Sequence, residues 1–187
     1  MALLTLSRIA GTGIGAETAR YFARAGAARI AILGRREQPL VETKASIERE
    51  INDIEVFTQS TDVTKSLDVD AAFANFMKDG GKIDILVSNA AFTGPVESIE
   101  DADGEAFLNG IDVNLRGSTN VAKAFLRYAS PNAVVVDVNS AAAHLFLAPK
   151  FASYSVAKLA VFRLWDCVAV ARPELSYVEV HEHVEAE

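Results

Sequence analysis

At 187 residues, half of them hydrophobic and 23% charged, the chain is long enough to bury a sizeable core in one domain (1–187) and too apolar for disorder. Its 25 acidic residues outweigh 18 basic ones, and a net charge of -7 argues against a nucleic-acid partner or a charge-held membrane partner. One cysteine, Cys167, excludes an internal disulfide, and the opening run MALLTLSRIAG is too short for a signal peptide or a membrane span, so the expectation is a cytoplasmic protein.

Short apolar runs alternate with amphipathic stretches along the chain. The pattern predicts a first strand over 2–6 and a helix over 13–25, with Ile14, Ala19, Phe22 and Ala23 on roughly one face. RIAIL (29–33) reads as the second strand, 40–51 as a helix and 54–58 as the third strand. A helix over 66–78 spaces Phe73, Phe76 and Met77 for one face, and IDILVS (83–88) is the fourth strand. A long helix around 102–129 keeps helical spacing through Phe107, Ile111, Leu115, Val121 or Ala122, and Phe125. The fifth strand, 133–138, a helix over 153–171 and a sixth strand, 176–180, complete the series. Near-continuous apolar strands alternating with helices require a parallel sheet covered on both faces. Right-handed crossovers make that a doubly wound α/β fold, with ligands at the carboxyl ends of the strands.

Gly11, Gly13 and Gly15 follow the first strand and open the first helix. Glycines there let the backbone approach a pyrophosphate, and a helix N-terminus offers free N–H groups; a simple chain turn has the same appearance. Tyr154 and Lys158 stand at i, i+4, hence on one helical face. A phenol is a poor base at neutral pH, and an adjacent ammonium favours its phenolate. Ser140 follows the fifth strand directly, where its hydroxyl could bond a substrate carbonyl. A packed Tyr beside a solvated Lys is the plain alternative for the pair taken alone.

From about Leu3 onward the chain resembles the short-chain dehydrogenase/reductase family, whose fold is Rossmann-like. The resemblance rests on the Gly-rich turn, Asp62-Val63, Ser88-Asn89-Ala90-Ala91, Asn114, Ser140 and Tyr154-x-x-x-Lys158 in family order. It implies an oxidoreductase, in a family that includes biosynthetic enzymes, interconverting a carbonyl and a secondary alcohol of a small molecule. Tyr154 would be the general acid/base. Lys158 would lower the Tyr154 pKa and bond the nicotinamide ribose. Ser140 would polarise the carbonyl, and Asn114 would hold a water of the proton relay. On the same basis Ile9, Gly11, Gly13, Ile14, Gly15, Asp62, Val63, Asn89, Ala90 and Ala91 would line the cofactor, with Asn114, Tyr154 and Lys158 at its nicotinamide end.

Gly34-Arg35-Arg36 ends the second strand where an acidic residue would select NAD(H). Arg suits a 2′-phosphate through charge and planar donors, so the cofactor expected is NADP(H); a solvated surface pair is the rival for Arg35 and Arg36. Arg8-Ile9 occupy the place of the family's Thr-Gly, and the sixth strand runs into His181-Glu182-His183 where a Pro-Gly turn is expected. The last strand and substrate lid of the family have no counterpart, which implies a C-terminally truncated member. These departures support a second reading: an impaired relative acting as a binding or interaction module. His181, Glu182 and His183 lack an evident third ligand, so no metal site is expected and a solvated tail is. The helix 153–171 carries apolar residues in nearly every direction, which calls for burial on two sides. A homodimer or homotetramer through the helices near 102–129 and 153–171 would supply the second side, and Cys167 would be a core or interface hydrophobe.

Overall fold

The computed structural model describes residues 2–6, 13–145 and 149–182. Six strands, β1 (Ala2–Leu6), β2 (Arg29–Gly34), β3 (Glu55–Ser60), β4 (Ile83–Ser88), β5 (Ala129–Ser140) and β6 (Ser176–Glu182), form one sheet in the order β3-β2-β1-β4-β5-β6. Every pairing is parallel. The crossovers carry α1 (Ile14–Arg24), α2 (Glu37–Glu50), α3 (Ser66–Phe76), α4 (Gly104–Tyr128) and α5 (Ala152–Ala171). This is the doubly wound, Rossmann-like α/β fold. Its strand order reverses between β1 and β4, so a ligand crevice opens at the carboxyl ends of those strands.

Alternation along β2 shows how the sheet is covered. Ile30 and Ile32 join Ala19, Ala23, Leu40 and Ile47 on one face. Ala31 and Leu33 join Phe73, Phe125 and Trp165 on the other. With both faces buried, the positions 30–33 must be apolar, which is why the interior of β2 reads as an unbroken hydrophobic run.

Several boundaries differ from the sequence expectation for identifiable reasons. Helix α2 starts at Glu37, before Pro39, because a first-turn proline lacks only an N–H that the helix does not use. Strand β5 is 12 residues long and begins at Ala129, its polar Ser130-Pro131-Asn132 stretch entering through a register shift against β4. Ser140 is therefore the last residue of β5, paired with Glu182, instead of the residue after it. A 3₁₀ turn, Ala141–Ala143, follows and is capped by Ser140 Oγ, which accepts from the Ala142 N–H at 3.3 Å. Strand β6 extends to Glu182, so His181 belongs to the sheet and not to a solvated tail; His183 lies outside the described residues.

Helix α5 buries Tyr154, Ala157, Lys158, Val161 and Trp165 and exposes Val156, Leu159 and Val170. Cys167 is exposed, which removes it from the core. Among the described residues no helix is long and apolar enough to cross a membrane.

Candidate active site

Helix α5 is seated on α4 by a close backbone approach. A Cβ on Gly110 would stand 2.3 Å from Ser153 Oγ, which in turn donates to the Phe107 carbonyl at 2.7 Å. Only a residue without a side chain fits there, and the contact fixes the first turn of α5 one residue before Tyr154.

Ser140, Tyr154, Lys158 and Asn114 are all buried at the carboxyl end of β4 and β5. The Lys158 ammonium donates to the Val138 carbonyl of β5 at 2.7 Å and stands 5.7 Å from the Tyr154 ring centre. Asn139 Nδ2 reaches the Lys158 carbonyl at 3.3 Å, while its Oδ1 accepts from the Ser140 N–H at 2.8 Å. The strand carrying Ser140 and the helical turn carrying Tyr154 and Lys158 are thus tied together from both sides. Asn114 Nδ2 donates to the Phe92 and Gly110 carbonyls, and its Oδ1 accepts from the Phe92 N–H, each at 2.7 Å. Its two amide hydrogens are committed to the backbone, so toward a water this side chain can only accept. It anchors Phe92, the residue that follows the segment Asn89-Ala90-Ala91 leaving β4.

Sequence reasoning passed over Asp137, a buried carboxyl two residues before Asn139, whose Nδ2 approaches it at 3.2 Å. Burial pushes its pKa up to about 6, against the pull of the Lys158 ammonium and the Ser88 hydroxyl and with a further push from Glu179. The nearby Lys158 ammonium favours its ionised form. A lone acid inside the apolar run AVVVDV was the available signal.

At the opposite end, Gly34, Arg35, Asp62, Val63, Thr64 and Val113 surround a small cavity of about 20 Å³. Burial would raise the Asp62 carboxyl, but the Thr64 hydroxyl and N–H, at 2.8 and 3.0 Å from Oδ1, hold it below the usual range. Arg36 is exposed and does not line this cavity. Gly13 has φ 70° and ψ -158°, a conformation reserved for glycine, and Ile14 and Gly15 begin α1. Among the described residues no side chain caps that helix, and the first N–H groups of a helix have no partner within it. Ile9 and Gly11 lie outside the described residues. A dinucleotide fits this donor set: an uncapped helix start for the phosphates, Arg35 and Asp62 at one end, Lys158 at the other.

The profile of the short chain dehydrogenase family matches residues 9–181. The chain is 35% identical over 157 residues to a short chain dehydrogenase of Aspergillus terreus, covering 81% of this chain and 34% of that one. It is 32% identical over 154 residues to the glucose 1-dehydrogenase of Gluconobacter oxydans, covering 81% and 57%. This chain therefore spans between about a third and three fifths of the length of those two relatives. Among solved structures it is similar to an alcohol dehydrogenase of Thermococcus sibiricus complexed with 5-hydroxy-NADP, at a TM-score of 0.86 and 26% identity over 96% of this chain and 74% of that one. An NAD⁺-bound xylitol dehydrogenase is also similar, at a TM-score of 0.86 and 27% identity over 96% and 68%.

Proposed function

Because this chain belongs to the short-chain dehydrogenase family, we propose that it interconverts a small-molecule carbonyl and a secondary alcohol with NADP(H). The observation that carries the reading is the Lys158 ammonium fixed on the Val138 carbonyl beside the Tyr154 ring, at the strand end that bears Ser140. The cofactor, when bound, supplies or accepts the hydride. Gly13, Ile14, Gly15, Asn89, Ala90 and Ala91 would hold it along the crevice, with Asp62 and Val63 near its adenine.

In the reducing direction Ser140 Oγ donates to the substrate carbonyl and orients it. Tyr154 Oη gives its proton to the same oxygen, and in the oxidising direction it takes that proton back. Lys158 favours the phenolate by charge and would bond the ribose of a bound nicotinamide. Asn114 acts as a positioning residue for the strip 89–91 and offers a lone pair to a relay water. Arg35 supports NADP(H) over NAD(H), since its planar donors complement a 2′-phosphate beside the cavity that it lines. The exposed apolar residues of α5 support a homodimer or homotetramer, and the absence of a membrane-length helix among the described residues is compatible with the cytoplasm.

The test is oxidation of NADPH and NADH against a panel of ketones. NADPH is expected to be the better donor, and Tyr154→Phe to lower turnover by about 10²- to 10⁴-fold while nucleotide binding, read by fluorescence titration, persists. Unchanged turnover in the variant sinks the assignment. Nucleotide binding by the parent chain without turnover on any ketone supports the binding-module reading instead.

A further inference from the structure

Strand β6 brings together three side chains that the assigned chemistry does not use. Glu179 and His181 are two residues apart, hence on one face of the strand. His144, just beyond the 3₁₀ turn after β5, leans over the same face. Its Nε2 stands 3.9 Å from one Glu179 carboxylate oxygen, and His181 Nε2 stands 3.5 Å from the other. Both separations exceed the 2.7–3.2 Å of an N–H···O hydrogen bond. One donor atom from each residue lies within 4.8 Å of the other two. Four-coordinate Zn²⁺, bound at roughly 2.0–2.2 Å, sets neighbouring ligand atoms about 3.4 Å apart, so a small contraction closes the group around an ion.

Two further observations point to a cation. Glu179 Oε1 is buried and has no hydrogen-bond partner, an expensive state for a carboxylate oxygen. Glu179 is also the β6 partner of Asp137, so two shielded carboxyls stand side by side across the sheet. A divalent ion relieves both conditions at once. The imidazoles are already oriented: the His144 ring meets Phe162 edge-on at 5.0 Å and His181 at 5.0 Å and 72°.

We propose that His144, Glu179 and His181 form a transition-metal site, selective for Zn²⁺ and its chemical neighbours. Two imidazoles and one carboxylate are borderline ligands that suit Zn²⁺ and Co²⁺ better than Mg²⁺ or Ca²⁺. Side-chain exposures of 39% for His144 and 37% for His181 leave a fourth position open to water or an added anion. His144 also lines an apolar cleft of about 360 Å³ with Ala142, Pro149, Val156 and Leu159, so the proposed site adjoins that cleft.

The experiment uses the full chain, free of affinity tags, stripped with chelator and titrated with Zn²⁺ by calorimetry and with Co²⁺ by visible absorption. One equivalent of each ion binds, the cobalt spectrum has the intensity of four-coordinate geometry, and Zn²⁺ raises Tm. His144→Ala and His181→Ala each weaken binding by at least about 100-fold, more than the loss of an outer-shell partner produces. Far-UV spectra check that both variants fold, and His144→Gln replaces the alanine variant if the turn is disturbed. Absence of saturable binding overturns the site. So does binding that His144→Ala leaves intact, including binding that disappears only with His183→Ala.

Discussion

Asn114 commits both amide hydrogens and its oxygen to backbone groups of Phe92 and Gly110. At about 1 kcal/mol for each buried hydrogen bond, Asn114→Ala should cost about 3 kcal/mol, read as a shift in the urea midpoint with unchanged slope. A cost below about 1 kcal/mol would mean that a water replaces the side chain, and the anchoring role would be lost. The placing of Tyr154, Lys158 and Ser140 near one another was legible in the sequence, since one helical turn and one strand end are local features, while the roles proposed for them come from the family resemblance. Asp137 and Glu179 were not. Their meaning arises from a cross-strand pairing between residues far apart in the chain, and no window of sequence displays it.

At the level of elements, six strands and five helices follow from hydrophobic periodicity, while their ends follow from individual bonds. Pro39 inside the first turn of α2 and the bulged entry of β5 shifted two boundaries, since proline and polar residues ordinarily mark breaks. The crossing of α4 and α5 depends on a glycine whose role the sequence does not announce. Gly110→Ala improves helix propensity by about 1 kcal/mol but drives a methyl into Ser153 Oγ, at an overpacking cost of about 1–3 kcal/mol. The expected net effect is destabilisation. Adding Ser153→Ala makes room for the methyl, so the double variant is less destabilised than the sum of the single ones, by at least about 0.5 kcal/mol in a thermal or urea cycle. Strict additivity would show that the two residues do not meet.

For the whole molecule, the unpartnered side of α5 bears on assembly. Val156 and Leu159 are 47% and 46% exposed, three residues apart on one helical face. In a homo-oligomer built on this face, Leu159→Asp shifts sedimentation toward the monomer at unchanged far-UV spectrum, whereas an unaltered sedimentation profile rejects the interface. The sheet order has its own consequence. Strand β1 leaves the ribosome before the other five strands yet lies in the middle of the sheet, hydrogen-bonded to β2 on one side and β4 on the other. Its pairing with β4 joins residues 3–6 to 85–88, so that edge of β1 waits for some eighty residues of chain to be made. A pairing of that span makes non-local closure costly, and the rate-limiting event of folding is expected to be the joining of the β2–β1 half to the β4–β5 half.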